Sequence, residues 1–491
     1  MSPECRLGRL HGPQERAIVQ FLDTLSRILP PERLLRDNVS MMAYECDGFP
    51  MHRQPPLAVA LPRTTAEVQQ LVRLCCDHGV TFLGRGAGTG LSGGATPDER
   101  PTLVIEMAAM KRILAVEPDD RIAVVEPGVV NLELSRTVQP FGLCYAPDPS
   151  SQSACTLGGN ASENSGGPHC FKYGMTTDHL IGAKMVLASG ELVELNEGEG
   201  PDLLGLATGS EGTFGIFTEL TVRLLPVPEL VRTWLAAFAT MGQACRAVSS
   251  IVASNIVPAA LEVLDHLTIQ AVEASVYAAG YPADAAAVLL VELDGTRASV
   301  DSDSPLVEQY IAEQQPLSIE GTTDAQQRKR LWQGRKGAFG AMGRLAPDLY
   351  VLDGVVPRSR LEPVLQRVVE IGREYDVTLS NVFHAGDGNL HPNISYDGRD
   401  PVVCARVKAA GMEILKLCVD EGGSITGEHG VGREKLDHVP LMFTDVDIEV
   451  FHDVKRCFDP NELCNPGKAF PSGGACGEGR SARNEGALGA R

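Results

Sequence analysis

The sequence predicts an α+β protein built as consecutive domains, and three observations carry that reading. A chain of 491 residues exceeds what one hydrophobic core normally organises, so two or more domains are expected. From residue 57 short apolar runs alternate with a helical segment and then crowd together as β-rich pieces, whereas the second half alternates strands with longer helices. Between them VRLLPVPEL sets two prolines within three residues and marks a boundary near 227–230. The expected partition is an N-terminal helical segment (1–55), a first domain (56–228), a second (229–442), a C-terminal helix returning to the first domain (443–470) and a disordered tail (471–491).

Each element has a local reason. Residues 15–40 look helical and lead into the loop YECDGFPMHRQPP. LAVALP is a strand, and TTAEVQQLVRLCCDHG is a helix with Thr64 or Thr65 as N-cap and Gly79 as stop. VTFLGRG, TLVIEM and IAVVEPG follow as strands, and AKMVLASGELVEL turns on Ser-Gly as a hairpin. In the second half VLLVELDG, DLYVLDGVVP, VTLSNVFHAG and LHPNISY read as strands. Helices are expected at about 324–344, 359–376, 401–420 and 445–458. Together these predict a sheet covered by helices on one face. The tail PSGGACGEGRSARNEGALGAR lacks apolar periodicity, and no internal repeat is present.

Composition narrows the function classes. A net charge of −20 repels nucleic acid and anionic lipid, so neither is an expected partner. An anionic substrate would need local cations. The N-terminus MSPECRLGRLHGPQER is charged where a signal peptide needs an apolar run, and no stretch reaches the roughly 20 apolar residues of a membrane span. Thirteen cysteines are scattered with no C-x-x-C pair, which reads as reduced cytoplasmic thiols and argues against an iron–sulfur cluster in this chain.

Glycine is the main clue. GRGAGTGLSGG (84–94) matches G-x-G-x-x-G by spacing, but the chain then meets Pro97 and returns to strand, so the helix of a dinucleotide fingerprint is missing. A P-loop fails for want of its Lys-Ser/Thr ending. What remains is either a structural turn or a loop whose backbone N–H groups converge on an anion. PDPSSQSACTLGGNASENSGG (147–167) and TGSEGTFGIFTE (208–219) are of the same kind and lie in the same domain. Three such loops suggest backbone packed against something large and flat with a pyrophosphate at one end.

These motifs resemble the p-cresol-methylhydroxylase-type FAD-binding domain of the vanillyl-alcohol-oxidase superfamily. HAGDGNLHPN and GEHGVGREK resemble the C-terminal half of its D-2-hydroxyacid dehydrogenase members, the branch that oxidises glycolate and D-lactate. The likeness spans roughly 40–470 and includes YECDG, WQGRKGAF, PDLYVLDG and FDPNELCNPGK. It implies a two-subdomain FAD-binding domain followed by an α+β cap with an antiparallel sheet. It places Arg85, Gly86, Gly88, Thr89 and Gly90 around the FAD pyrophosphate. Pro147, Asp148, Ser150, Gly158, Gly159, Asn160 and Ser165 would line the flavin and its ribityl chain. Glu211, Gly212 and Ile216 would close over the cofactor, with Asn465 near the isoalloxazine. The glycine loop offers no histidine or cysteine for a covalent link, so FAD is expected to be non-covalent.

The second half carries a polar cluster. His384 and His391 flank a Gly-Asp-Gly-Asn turn, and Glu428 and His429 follow in GEHG. Two imidazoles and a carboxylate are the ligand types of a divalent-metal site, zinc first, with manganese or iron acceptable. Asp387 is a candidate to orient one ring. The plain alternative is histidines that each satisfy a backbone partner. A metal suits hydroxyacid oxidation, because an alcohol is a poor acid and a cation lowers its pKa. His429 is then the candidate base. The resemblance agrees, giving His384, His391 and Glu428 as ligands and His429 and Asn393 facing substrate.

For the substrate carboxylate, Arg335 in LWQGRKGAFGAMGR offers a bidentate guanidinium, with Lys336 and Arg344 read as surface or secondary groups. Members acting on D-2-hydroxyglutarate carry a threonine four residues after this arginine and a lysine in the next strand, where this chain has Phe339 and Val351. A bulky apolar group and no second cation disfavour a diacid and favour glycolate or D-lactate. The resemblance implies partners as well: a second FAD-domain subunit and an iron–sulfur subunit passing electrons to a membrane quinone, with this chain at the inner membrane face. The alternatives are a dehydrogenase of D-2-hydroxyglutarate or another D-2-hydroxyacid, a zinc hydrolase using His384, His391 and Glu428, and a non-catalytic assembly subunit.

Overall fold

The computed structural model describes residues 13–471, so the expected disordered tail lies, apart from Pro471, outside the described residues. Helix α1 (Pro13–Ile28) packs on α2 (Thr65–His78), which begins where Thr64 accepts from Glu67 N and ends where Gly79 turns left-handed at φ 63°. The strands β1 (Leu34–Leu35), β2 (Ala58–Ala60), β3 (Thr81–Arg85) and β4 (Thr102–Glu106) form a sheet in the order β1-β2-β4-β3, parallel except for β1. A second, antiparallel sheet joins β5 (Ile113–Glu117), β6 (Ile122–Val125), β7 (Leu180–Leu187), β8 (Leu192–Asn196) and β9 (Gly215–Arg223) in the order β5-β6-β9-β7-β8. Helices α3 (Asn131–Val138) and α4 (Leu157–Glu163) pack against it through Leu134, Val138, Leu157 and Ala161.

The largest sheet among the described residues is antiparallel. Its order is β13 (Ser318–Thr322), β10 (Leu230–Phe238), β12 (Ala287–Gly295), β11 (Ala260–Asp265) and β15 (Thr378–His384), with β16 (Pro392–Tyr396) pairing to β15 and to β14 (Asp348–Val351). Both of its faces are covered, which corrects the expectation of helices on one side only. On one face Trp234, Val263, Leu289 and Val291 meet α5 (Met241–Ala253), α7 (Arg297–Ala312), α10 (Leu361–Glu374) and α11 (Pro401–Asp420). On the other Leu235, Leu264, Val288 and Leu290 meet α6 (His266–Glu273), the Leu331 turn of α8 (Ala325–Lys336) and α9 (Ala338–Met342). Strand β12 is apolar at successive positions because each successive side chain finds a packed helix.

After α12 (Asp445–Phe458) the chain runs back to the first sheet: Phe82 N donates to Leu463 O and Asn465 N to Phe82 O at 2.7 Å. The buried Lys455 ammonium bonds Asp459 at 2.7 Å and the carbonyls of Thr213 and Cys464, which fixes this return beside β9.

Candidate active site

One cavity of about 460 Å³ lies between these layers, a size typical of small-molecule and cofactor sites. Its floor is backbone. Arg85 ends β3 and folds back, donating to Ala95 O (2.7 Å), Cys46 O (3.0 Å) and Ala43 O (3.2 Å), so its guanidinium clamps the glycine loop. Gly86, Gly88, Thr89 and Gly90 therefore reach the cavity as a chain with little side-chain bulk. A Cβ on Gly86 would strike the Thr156 hydroxyl, and that hydroxyl caps α4 by accepting from Gly159 N at 3.3 Å. Gly158 lies so close to Pro127 that any Cβ would overlap it.

Ser150, Gly158, Gly159, Asn160, Ser165, Glu211, Gly212, Ile216 and Asn465 also line the cavity. Asn465 donates to Gly94 O and Glu211 O and leaves Oδ1 without a partner; Asn160 Nδ2 is likewise unpaired among the described residues. Buried amide atoms without partners on a glycine-lined wall fit a large polar ligand that would complete them. Pro147 and Asp148 do not line the cavity. Pro147 O accepts from Asn131, and Asp148 is turned toward His169 and Lys336.

The polar cluster closes one end. In the pairing of β11 with β15, Glu262 is the register partner of His384, and its Oε1 stands 2.6 Å from His384 Nδ1. The chain turns at Gly388 (φ 82°) and brings His391 back, its Nδ1 3.1 Å from Leu352 O. With both Nδ1 atoms engaged, the Nε2 atoms lie 3.2 Å and 3.3 Å from Glu428 Oε1. The ligand atoms of His384, His391 and Glu428 lie within 4.8 Å of one another, a donor set that fits a tetrahedral or octahedral divalent ion with positions left open. Asp387 does not orient a ring; it accepts from Asn389 N in the turn, and Glu262 holds His384 instead. Burial opposes a charged His384, but Glu262 and Glu428 outweigh it and raise its pKa well above the ordinary value.

Asp353 fixes the loop that carries Glu428 and His429. Its fully buried carboxylate accepts from Gly427 N (3.0 Å), Glu428 N (3.2 Å), His429 N (2.8 Å) and the Thr426 hydroxyl (2.6 Å), with Lys435 Nζ at 3.3 Å. The His429 ring stacks on His391 at 4.9 Å, with Nε2 3.9 Å from Glu428 Oε1. Burial pushes His429 down to about 4, so the ring is neutral near pH 7.

Arg335, in the last turn of α8, is 1% exposed, and its Nε donates to Glu262 Oε2 at 2.6 Å. Both terminal guanidinium nitrogens are buried without a partner among the described residues, on a side chain that lines the cavity. Glu262 thus joins the candidate anion-binding arginine to a candidate metal ligand. Phe339 also lines the cavity, its ring 6.5 Å from His391. Asn393 does not: it sits behind His391, donating to the His391 carbonyl at 2.8 Å, with Val351 as its register partner. Lys336, partly buried, lines the cavity as well.

Glu262 and Asp353 escaped the sequence analysis. Asp353 lies in the PDLYVLDG motif and so had a signal, whereas Glu262 is one acid in an apolar strand with none.

The chain matches two family models and several known proteins. Residues 56–196 match the model of an FAD binding domain, and residues 227–469 match that of FAD linked oxidases, C-terminal domain. The chain is 44% identical to glycolate oxidase subunit GlcD of Escherichia coli over 93% of its own length and 92% of that protein. It is 28% identical to D-lactate dehydrogenase of Anaerostipes hadrus, covering 91% and 97% of the two chains. Among solved structures, p-cresol methylhydroxylase with substrate bound shares the fold, with a TM-score of 0.80 at 18% identity, covering 93% of this chain and 97% of that one.

Proposed function

The chain belongs to the FAD-linked oxidases, and from that premise we propose that it oxidises glycolate or D-lactate to the 2-oxoacid with a non-covalently bound FAD as acceptor. One observation carries the reading: the glycine-lined wall, the His384/His391/Glu428 triad and Arg335, whose terminal nitrogens have no partner among the described residues, line a single cavity. Had the triad stood apart from the glycine loop, no substrate could meet both.

Arg335 receives the substrate carboxylate through its two unpartnered nitrogens and so fixes the α-carbon. When bound, FAD supplies the two-electron acceptor for the α-hydrogen. His384, His391 and Glu428 would hold a divalent ion, zinc, manganese or iron, whose chemistry is to acidify the substrate hydroxyl. His429 takes the hydroxyl proton at Nε2, the nitrogen on the Glu428 side, and its neutral ring is the form able to do so. Phe339 narrows the space beyond the α-carbon and favours a short substrate.

Electrons then have to leave the chain. We infer that it works as one subunit of an assembly with a second FAD-domain subunit and an iron–sulfur subunit that reduces a membrane quinone. Its Escherichia coli relative carries a subunit's name. Among the described residues no cysteine joins a candidate metal cluster, and no helix is long and apolar enough to cross a membrane. A place at the cytoplasmic face of the membrane would therefore depend on those partners.

The test is an anaerobic titration of the purified protein's flavin absorbance against a panel of 2-hydroxyacids. Glycolate or D-lactate should bleach it with one equivalent of acid per flavin. A folded protein that binds no flavin, or a flavin that no 2-hydroxyacid reduces, removes the proposal.

A further inference from the structure

Lys336 follows Arg335 directly and lines the same cavity, so the site does contain a second cation. That cation is masked. Asp148 Oδ2 lies 3.0 Å from its ammonium, and the Trp332 ring stands 5.9 Å away. Asp148 is held in turn, with Oδ1 2.9 Å from His169 Nδ1, while His169 Nε2 is 3.3 Å from Glu292 Oε1. Glu292 Oε2 accepts from Trp332 Nε1 at 2.7 Å and from the Thr233 hydroxyl. The masking carboxylate is therefore fixed from both sides of the domain seam, by His169 on one and by Lys336 on the other. Burial opposes its charge, but His169 and Lys336 hold the Asp148 carboxyl below the usual carboxylate range, so it stays anionic.

A hydroxyacid with one carboxylate needs only the free edge of Arg335. One with two must bring its distal carboxylate toward Lys336, which already has a partner that is itself negative. Lysine has a flexible four-carbon stem and would turn to such a carboxylate if nothing held it. Resting on the 2-hydroxyacid reading above, we propose that Asp148 is a specificity-determining residue that neutralises Lys336 and thereby excludes 2-hydroxydiacids from the cavity.

The experiment compares kcat/KM for glycolate, D-lactate and the diacid D-malate in the flavin-loaded enzyme. Asp148→Asn should raise the D-malate-to-glycolate ratio at least tenfold, and adding Lys336→Met should return the ratio to that of the parent. Lys336→Met alone should not raise the ratio, because it removes a cation that is already neutralised and leaves the Asp148 carboxylate behind; this variant decides the matter if Asp148→Asn does not fold. An unchanged ratio in Asp148→Asn with flavin bound, a gain that survives loss of Lys336, or a tenfold rise in the ratio from Lys336→Met alone would each overturn the assignment. If none of the three acids bleaches the parent flavin, the 2-hydroxyacid reading fails instead.

Discussion

Glu262 shows how much one buried side chain can organise. It is fully buried, and each carboxylate oxygen serves a different function: Oε2 holds Arg335 at 2.6 Å and Oε1 holds His384 at 2.6 Å. Burial alone would favour its neutral acid, yet Arg335 and His384 keep its pKa below the ordinary value, so it remains charged. Glu262→Gln preserves volume and removes the charge. It should cost about 10- to 100-fold in metal retention or activity, as loss of a ligand-orienting partner usually does, and should raise KM together with it. Metal content after dialysis against a chelator, measured beside KM, checks this; a variant that changes neither removes Glu262 from both roles. His429→Ala tests the base separately. Turnover should fall roughly 10²- to 10⁴-fold while flavin absorbance stays, and retained turnover would exclude the ring as base. Arg335→Lys keeps a positive charge but loses the paired donors, so KM should rise at least about tenfold with flavin still bound.

At the scale of elements, the glycine loops make a prediction of a different kind. Gly158 lies in the first turn of α4 against Pro127, and a methyl there would meet the proline ring and its backbone, which cannot turn aside as a flexible side chain can. Gly158→Ala should therefore weaken FAD retention, read as the flavin-to-protein ratio after gel filtration, with far-UV circular dichroism little changed. An unaltered ratio would mean that the close approach of α4 does not shape the cavity. The loops are legible in the sequence because glycine at such density has few other uses, and α2 is legible to the residue at its Gly79 end and to within one residue at its start, where Thr64 and Thr65 compete for the cap. Strands β10 and β11 are not legible in the same way, since a strand buried on both faces shows no alternation. Glu262 was hidden for the same reason: an acid within ALEVLD reads as a solvent-facing position until the pairing with His384 is known. Lys336 stands one position from Arg335, which turns it well away on a helical wheel, yet the cavity wraps the end of α8 and receives both.

The whole molecule depends on how its two halves meet. Glu211 reaches from the first domain to accept from Val431 N and Gly432 N at 2.7 and 2.6 Å, tying the loop after His429 to the glycine wall. A second tie is ionic. His169 lies between Asp148 and Glu292, with Lys336, Arg328 and the Trp332 ring on α8 packed around them and Lys172 paired to Asp294 beside them. Burial disfavours a charged His169, but Asp148 and Glu292 together raise it to about 10, far above the ordinary 6.5. A histidine raised on folding stabilises the folded form fully below its unfolded pKa of about 6.5, and that contribution disappears as pH climbs through about 10. His169→Gln, which keeps hydrogen bonding but cannot carry charge, should therefore lower Tm most at pH 6. The gap from the parent should narrow steadily above pH 7 and nearly vanish near pH 10, as followed by thermal unfolding with flavin bound. A gap of constant size across that range would show that the ring sits neutral in the seam, and the charge across the junction would then be carried by the Lys336–Asp148 and Lys172–Asp294 pairs.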